Sequence, residues 1–300
     1  MTLQQLQDFL AIVRCGSVNA AARATKQTQP ALSKSLSRLE ATLGVHLLER
    51  TALGVRLTPY GEGFLGHARA MVAEAERSRA LLSQMKGDAG GVVRYGMSPF
   101  ASYLLAPAAI RDFKRKYPDV ELHATSGMLP HFAPLLRERQ LDFAVCWSSE
   151  SDTQEFTSTR LIQCEFMLLA RDGHPLLGAR SLAELKDAHF VLAPFRSRSD
   201  AGVGALFERE GLPPPKAYVR TDSLIDILLF LPESDLVALV PVVVEGTPLV
   251  RNGLRRIRIK EDLGTYRVNM LLKRDALLTE QAAALVALVD RHASYLMHTR

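Results

Sequence analysis

The first part of the chain repeats apolar residues with the period of a helix, and short polar signals divide that pattern into segments. Thr2 and Gln5 stand at capping-box spacing, and Gly16 follows the stripe where a helix C-terminus favours glycine. The apolar stripe between them consists of Leu3, Leu6, Phe9, Leu10 and Val13. We predict a helix over residues 3–15, followed by a short alanine-rich helix capped by Ser17.

The segment KQTQPALSKSLSRLE, residues 26–40, is unusually polar and carries a proline near its start. Thr28 suits an N-cap, and Pro30 falls in the first turn, where a missing N–H costs little. We therefore expect a third helix from about Gln29 to Leu43, ended by Gly44. Its apolar residues recur at spacings of 4, 3 and 4 and form one buried face, which comprises Leu32, Leu36, Leu39 and Leu43.

The opposite face of this helix carries short hydroxyl side chains and two cations but no acid. Its members are Pro30, Ser33, Lys34, Ser37 and Arg38, and Glu40 lies off this face. Short side chains let a helix approach another surface closely, and Lys and Arg attract phosphate. These properties suit insertion into the major groove of DNA. An ordinary solvated face is the alternative interpretation of this helix taken alone.

A hairpin and a long helix come next. Two short apolar segments around Gly54 predict paired strands, at Leu47–Leu48 and at 55–57. Thr58 then caps a helix that has Pro59 at its first position and continues to about Gly87. This helix would be roughly 40 Å long. A thin rod of that length cannot bury its apolar stripe alone, so we expect it to pair with a second subunit.

From residue 91 onward, segments typical of strands and helices alternate, after a hinge-like GDAGG segment at residues 87–91. The first set is βαβαβ, which predicts a parallel sheet covered by helices. Its strands are expected at 92–97, 120–126 and 143–147 and its helices at 101–117 and 129–139. A second set follows, with strands near 158–170, 189–193, 216–221, 236–240 and 255–260 and helices near 182–187, 201–211, 223–230 and 242–247. A last strand in YRVNMLLKRD and a helix over 279–297 end the chain.

The first 60 residues are similar to the N-terminal domain of the LysR-type transcriptional regulators. The matching residues, in order, are Ser17, Ala21, Ala22, Thr28, Gln29, Pro30, Ala31, Leu32, Ser33, Leu39, Glu40, Leu43, Gly44, Leu48, Glu49, Arg50, Leu57 and Thr58. The segments YPDVEL, LDFAV and DGHPL extend the resemblance to essentially the full chain. It implies a winged helix-turn-helix, a linker helix and a two-lobed α/β effector domain like the periplasmic binding proteins.

The boundaries implied by the resemblance divide the chain into three parts. We expect the DNA-binding domain at 1–58, the linker and dimerisation helix at 59–87, and the effector domain at 91–300. Within the effector domain, lobe 1 would take about 91–161 and 267–300, and lobe 2 about 162–266. Homodimers or homotetramers would bind a promoter site, and RNA polymerase is a further candidate partner.

The resemblance also implies which residues contact DNA. The recognition helix would contribute Gln29, Pro30, Ser33, Lys34 and Arg38, and the wing would contribute Arg50 and Arg56. Several positions depart from the family pattern. Thr25 and Gln27 stand where apolar residues are usual, Thr28 replaces Ser, and Leu48 replaces Phe. Leu53 occupies a wing position that is commonly basic, which leaves the two wing arginines as the cations for phosphate or the minor groove.

In an open α/β sheet, ligands bind at the carboxyl ends of strands. The effector site between the lobes would therefore be built from strand-to-helix turns, and the candidate residues are Ser98, Phe100, Met128, Trp147, Phe195, Arg198 and Ser223. A helix N-terminus behind Ser98 favours an anionic group, and the aromatic side chains suit a ring. We expect a small organic effector such as an aromatic or aliphatic carboxylate or sulfonate.

Charge and composition agree with this division. The formal net charge is +5, from 37 basic and 32 acidic residues. Residues 1–87 hold 11 Lys and Arg against 6 Asp and Glu, so the remaining 26 of each sign balance. A basic excess confined to one part favours a polyanionic partner there. No apolar run has the length of a membrane span and the chain does not open with a secretory leader, so we expect a cytoplasmic protein.

The sequence lacks the motifs of common enzyme classes, including P-loop, GxGxxG, GxSxG, HExxH and CxxC patterns, and its eight histidines have no ligand spacing. We expect neither catalysis nor a cofactor or metal. Two alternatives stay open. Cys146 and Cys164 could serve a redox-sensing regulator of the same fold, and residues 91–300 alone would fit a cytosolic solute-binding protein.

Overall fold

A computed structural model describes residues 1–51, 54–85, 90–149, 153–192, 202–221, 223–245, 247–251 and 253–298. The chain forms two compact units. The first contains residues 1–96, 110–144 and 272–287, and the second contains 97–109, 145–271 and 288–300. Several elements pass from one unit into the other, so neither unit corresponds to a single stretch of chain.

The first three helices begin and end where their capping residues predict. They are α1 (Leu3–Cys15), α2 (Val18–Ala24) and α3 (Gln29–Leu43). The capping box of Thr2 and Gln5 is present, and the hydroxyls of Ser17 and Thr28 accept the backbone N–H three residues on. Gly16 and Gly44 take the left-handed conformation at the C-caps of α1 and α3. Short-range signals alone therefore account for these boundaries.

The wing is the hairpin of β1 (Leu48–Thr51) and β2 (Gly54–Leu57), which pair antiparallel. Gly54 has φ +128, and a Cβ at this position would lie 2.4 Å from the carbonyl oxygen of Gly16. A glycine is therefore required where β2 approaches the end of α1, and the next residue, Val55, donates its N–H to the same carbonyl at 2.9 Å. This contact attaches the wing to the helices.

The helix α4 (Pro59–Met85) starts as part of the same core and then continues beyond it. Its Ala68 is fully buried beside Phe9, Leu39 and Leu47, and the ring of Phe64 lies 5.9 Å from that of Phe9. Further along α4, Leu81 and Leu82 are exposed. The first turns of α4 are thus stabilised by the winged domain, whereas these two distal leucines are left open to solvent.

The remaining elements alternate largely as predicted. They are β3 (Gly91–Met97), α5 (Pro99–Lys116), β4 (Val120–Ser126), α6 (Leu129–Arg137), β5 (Phe143–Trp147), β6 (Phe156–Arg171), β7 (His189–Leu192), α7 (Val203–Arg209), β8 (Lys216–Arg220), α8 (Leu224–Phe230), β9 (Leu236–Pro241), α9 (Pro248–Arg251), β10 (Leu254–Ile257), β11 (Thr265–Lys273) and α10 (Glu280–His298). In the first unit, β3 lies between β4 and β5.

The sheet of the second unit is mixed. Its strands follow the order β11–β6–β9–β7–β8, with β10 also paired to β6. The strand β7 runs parallel to β8 and β9, whereas β6 runs antiparallel to β9 and β10. The parallel sheet was predicted only for the first set of strands. The mixed pattern arises at β6, a 16-residue strand that is antiparallel to both β9 and β10.

Two segments that were predicted as helices are single 3₁₀ turns, at Leu182–Leu185 and Val242–Val244. Three consecutive β-branched valines explain the second difference, because their side chains lose χ1 freedom in an α-helix.

Candidate functional site

The predicted DNA-contacting face is exposed at the start of α3. Gln29, Pro30, Lys34 and Arg38 are exposed, and Ser33 is half-buried. The side-chain amide of Gln29 donates to Ser33 Oγ at 3.3 Å. On the other side of the helix, Leu32 and Leu39 are completely buried. The helix is therefore amphipathic as predicted, and its cationic face is available to a partner.

The wing residues are only partly described. Arg50 lies on β1 opposite Val55, but its side chain lies outside the described residues, as does the whole of Leu53. Arg56 lies opposite Glu49, with its Nε 3.8 Å from Glu49 Oε1. Both partners are exposed, so this ion pair contributes little and leaves the guanidinium accessible.

The side chain of Glu40 links the end of α3 to the wing through hydrogen bonds. Its Oε1 accepts the backbone N–H groups of Leu47 at 2.8 Å and Leu48 at 3.2 Å, and its Oε2 lies 3.3 Å from His46 Nδ1. Glu40 was placed off the DNA-contacting face by its helical position. The structure adds that this carboxylate fixes the first strand of the wing to the recognition helix.

The linker helix α4 is held to the segment that follows α6 by a polar cluster inside the first unit. Arg77 donates to the carbonyls of Arg139 at 2.8 Å and Leu141 at 3.2 Å and pairs with Asp142 at 3.0 Å. The second oxygen of Asp142 accepts the N–H of Arg94 on β3 at 2.8 Å. Two further ion pairs flank this contact, Arg69 with Glu138 at 3.2 Å and Glu74 with Arg139 at 2.8 Å.

The side chain of Lys273 extends this cluster. Its Nζ donates to the carbonyl of Arg137 at 2.9 Å. Burial, with the nearby Arg139 guanidinium, lowers the pKa of Lys273 below the usual value for lysine. The first unit thus concentrates cations around the α6–β5 turn, and the carboxylates of Glu74, Glu138 and Asp142 compensate them.

The candidate effector site lies at the carboxyl ends of β3 and β5 in the second unit. Ser98, which follows β3, is almost fully buried and donates its backbone N–H to the carbonyl of Val145 on β5 at 2.8 Å. Its hydroxyl has no hydrogen bond of good geometry within the described residues. Phe100 is also buried, and its ring lies 6.2 Å from that of Tyr266. Two predicted site residues therefore converge on a third residue that sequence patterns did not single out.

Tyr266 occupies the centre of this cluster. It is 1% exposed and also packs edge-on against Phe166 at 5.5 Å. Burial raises the pKa of its phenol above the usual value for tyrosine, and nearby Cys164 and Cys146 raise it further, while an interaction with Ser98 opposes part of the rise. The hydroxyl is therefore neutral and surrounded by weakly polar groups.

A buried amide, Asn269, lies further along the same strand, β11. Asn269 donates its side-chain N–H to the carbonyl of Ser148 at 3.1 Å and to the hydroxyl of Ser148 at 2.8 Å. Trp147, the residue before Ser148, is buried. Asn269 was also missed, because its strand was predicted while the side chains that point inward from it were not assigned.

The other predicted effector residues are dispersed. Ser223 uses its hydroxyl to cap α8 by accepting the N–H of Asp226 at 3.2 Å. Met128 precedes α6 in the first unit and is half-buried. Phe195 and Arg198 lie outside the described residues. Only Ser98, Phe100 and Trp147 are thus placed near the buried polar groups of the second unit.

A helix-turn-helix with an exposed cationic face, followed by an α/β region with a buried polar cluster at strand ends, defines a DNA-binding transcriptional regulator that carries a ligand-binding domain. The comparisons with known proteins agree. Residues 3–62 match the bacterial regulatory helix-turn-helix protein, lysR family, and residues 86–294 match the LysR substrate binding domain. The chain belongs to the LysR family of transcriptional regulators.

Individual relatives are similar over nearly the whole chain. The HTH-type transcriptional regulator TdcA of Escherichia coli is 27% identical over 293 residues, which cover 97% of this chain and 93% of TdcA. A full-length variant of OxyR from Pseudomonas aeruginosa has a TM-score of 0.69 at 21% identity and covers 98% and 94% of the two chains. Full-length CbnR complexed with its target DNA has a TM-score of 0.66 at 21% identity, covering 97% and 100%. The two solved structures share the fold of this chain.

Three further properties concern the described residues only. None of their helices combines the length and the apolar character that crossing a membrane requires. No group of three or more His, Cys, Asp or Glu side chains among them is arranged to hold a metal ion. Cys15, Cys146 and Cys164 form no disulfide.

Proposed function

We propose that this chain regulates transcription by inserting α3 into the major groove of a promoter site. Gln29, Pro30, Ser33 and Lys34 would contact bases and phosphates, and Arg38, Arg50 and Arg56 would add contacts to the backbone. The observation that carries this proposal is the exposed face of α3. None of the described acidic side chains lies within ion-pair distance of Lys34 or Arg38 on that face.

The active form would be a homodimer or homotetramer. Its support is the exposed pair Leu81 and Leu82 near the end of α4, which a second copy of the same helix would bury. The boundaries 1–58, 59–87 and 91–300 describe the parts that would bind DNA, pair subunits and bind effector. A promoter-bound assembly of this kind works in the cytoplasm, and contact with RNA polymerase would follow from its position on DNA.

The effector would be a small organic anion bound at the cluster around Ser98. The buried hydroxyl of Ser98 lacks a hydrogen-bond partner of good geometry among the described residues, and such a group is costly unless a ligand or water satisfies it. It also precedes the 18-residue helix α5, whose free N–H groups attract negative charge. Phe100 and Tyr266 provide aromatic surface for a ring. The proposed effector is therefore an aromatic or aliphatic carboxylate or sulfonate.

The response would reach the DNA-binding domain through α4. Asp142 accepts hydrogen bonds both from β3 of the effector region and from Arg77 of α4. A movement of β3 and β5 on effector binding would therefore displace the linker helix as well. Arg77→Ala should preserve effector binding and operator binding while reducing the effect of effector on operator affinity.

The proposal is tested by thermal denaturation of the full-length chain against a panel of aromatic and aliphatic carboxylates and sulfonates. A ligand that binds the folded chain at 100 times its Kd should stabilise it by about 2.7 kcal/mol. Ser98→Ala should weaken that response, whereas Ser158→Ala, on the exposed part of β6, should leave it intact. Retention of the response in Ser98→Ala would contradict the site.

The alternatives are distinguished by adding peroxide to this experiment and by measuring operator binding with and without ligand. A redox regulator would respond to peroxide and lose the response when Cys146 and Cys164 are replaced by serine, with no dependence on organic anions. A solute-binding protein would bind ligand without any effect on DNA. The proposed regulator is not an enzyme and needs no cofactor, so its ligand should be recovered unchanged.

A further inference from the structure

Asp8 is the most deeply buried acidic side chain that the structure describes in the DNA-binding part. It lies on α1 and is 2% exposed. The described side chains place no lysine or arginine within ion-pair distance of it. A buried carboxylate without a counter-ion is costly unless its oxygens accept several hydrogen bonds. Its presence in a small helical domain therefore requires an explanation.

Three donors from three segments satisfy this carboxylate. Gln4 Nε2 donates to Oδ1 at 2.9 Å from the preceding turn of α1. Gln27 Nε2 donates to the same oxygen at 2.9 Å from the turn between α2 and α3. Ser35 Oγ donates to Oδ2 at 2.5 Å from the middle of α3. One side chain thus links α1 to the helix-turn-helix turn and to the recognition helix.

The two long-range donors flank the DNA-contacting face. Gln27 follows Lys26, which has φ +54 in the left-handed region, and its own N–H donates to the carbonyl of Ala22 at 2.9 Å. Ser35 is adjacent to Lys34 in sequence. Leu32 and Leu39 hold α3 to the core by apolar contact, which has little directional preference. Hydrogen bonds to a carboxylate are directional and would set the rotation and depth of the helix.

We propose that Asp8 is a positioning residue for operator recognition. Through Gln27 and Ser35 it fixes the orientation in which α3 presents Gln29, Ser33 and Lys34, while making no contact with DNA. The inference rests on the proposed DNA-contacting face of α3. It also explains why Gln27 stands at a position where the family usually has an apolar residue, since a buried acceptor requires a polar partner.

The test compares Asp8→Asn with wild type in the full-length chain. The probe is a duplex that wild type selects from a random-sequence pool, and the reference is a scrambled duplex of the same length. Asparagine has nearly the same size but replaces one of the two acceptor oxygens with an NH2 group and removes the charge, so it cannot accept all three hydrogen bonds as the carboxylate does. We expect operator affinity to fall about tenfold, non-specific affinity to change little, and the dependence of affinity on salt concentration to keep its slope.

The sign of this effect separates positioning from electrostatics. Asp8→Asn removes a negative charge from a DNA-binding domain, so charge alone would tighten binding to both duplexes. A lower ratio of operator to non-specific affinity with an unchanged salt slope is the signature of altered geometry. Gln4→Ala is the matched control, because it removes a hydrogen bond within α1 and touches neither the turn nor α3, and it should retain the wild-type ratio.

Three further outcomes are informative. If Asp8→Asn does not fold, Ser35→Ala and Gln27→Leu each remove one long-range donor and should lower the same ratio. If wild type selects no sequence from the pool, the proposed function is wrong. If wild type selects a sequence and Asp8→Asn, Ser35→Ala and Gln27→Leu all keep its affinity ratio, the positioning role of Asp8 is wrong while the DNA-contacting face stands.

Discussion

The DNA-binding part and the second unit each bury a polar group, and they treat it in opposite ways. Asp8 accepts three hydrogen bonds from α1, the helix-turn-helix turn and α3. Ser98 Oγ, equally buried, has no hydrogen bond of good geometry among the described residues. A satisfied buried group stabilises one arrangement of its neighbours, whereas an unsatisfied one gains by meeting a ligand. Burial alone therefore does not distinguish a structural residue from a binding residue. The distinction depends on whether other residues of the chain already satisfy the hydrogen-bonding capacity of the buried group.

Serine-to-alanine substitution provides the sharpest form of this comparison, and its largest effect is expected at Ser35. Ser35→Ala removes a donor to the buried carboxylate of Asp8 and should lower the free energy of unfolding by about 2 kcal/mol. Chemical denaturation measures this loss. The exposed Ser37, two residues along the same helix, provides the control, because Ser37→Ala removes no hydrogen bond of this kind. Equal stability of the two variants would contradict the role assigned to Ser35.

Within the DNA-binding part, removal of a buried polar side chain should lower stability, whereas removal of an exposed one should lower operator affinity. Lys34 is exposed, so Lys34→Ala should leave the stability of the chain nearly unchanged. It should lower operator affinity about tenfold and reduce the salt slope by about one, because one phosphate contact is lost. Mobility shift at several salt concentrations gives both quantities. An unchanged affinity would remove Lys34 from the DNA-contacting face.

The two regions also differ in how far the sequence predicts them. The boundaries of α1, α2 and α3 follow from Thr2, Ser17, Thr28 and the glycines at the helix ends, all of which act within a few residues. The amphipathic face of α3 follows in the same way from its leucine spacing. Gln27 was noted only as a departure, because the carboxylate that explains it lies 19 positions earlier in the chain.

The cluster around Ser98 depends on contacts that local patterns do not contain. Ser98 and Phe100 were predicted from the strand-to-helix turn. Tyr266 reaches this cluster from β11, more than 160 residues later in the sequence, and Asn269 of the same strand contacts Ser148 after β5. The strand itself was predicted, but its pairing partners decide which side chains enter the cluster. Sequence spacing cannot specify such partners.

The phenol of Tyr266 extends the comparison to a buried group that titrates. Burial raises its pKa in the folded chain, so above about pH 10 the unfolded chain ionises this tyrosine while the folded chain does not. Stability contributed by the neutral phenol below that pH is therefore lost as the pH rises. Between pH 10 and 11, the free energy of unfolding of Tyr266→Phe should fall by roughly 1 kcal/mol less than that of wild type. Chemical denaturation at the two pH values measures this difference. Tyr60→Phe, at an exposed position, should show the wild-type dependence.

The smallest effect on stability is expected for Ser98→Ala, although the substitution is the same as at Ser35 and the serine is more deeply buried. No well-formed hydrogen bond to a described residue is lost, so the free energy of unfolding without ligand should change by less than about 0.5 kcal/mol. Denaturation of Ser98→Ala beside Ser35→Ala measures the difference directly. If Ser98→Ala lost as much stability as Ser35→Ala, the interaction of Ser98 with Tyr266 would be a structural hydrogen bond. Ser98 would then resemble Asp8, and the proposed effector site would lose its principal support.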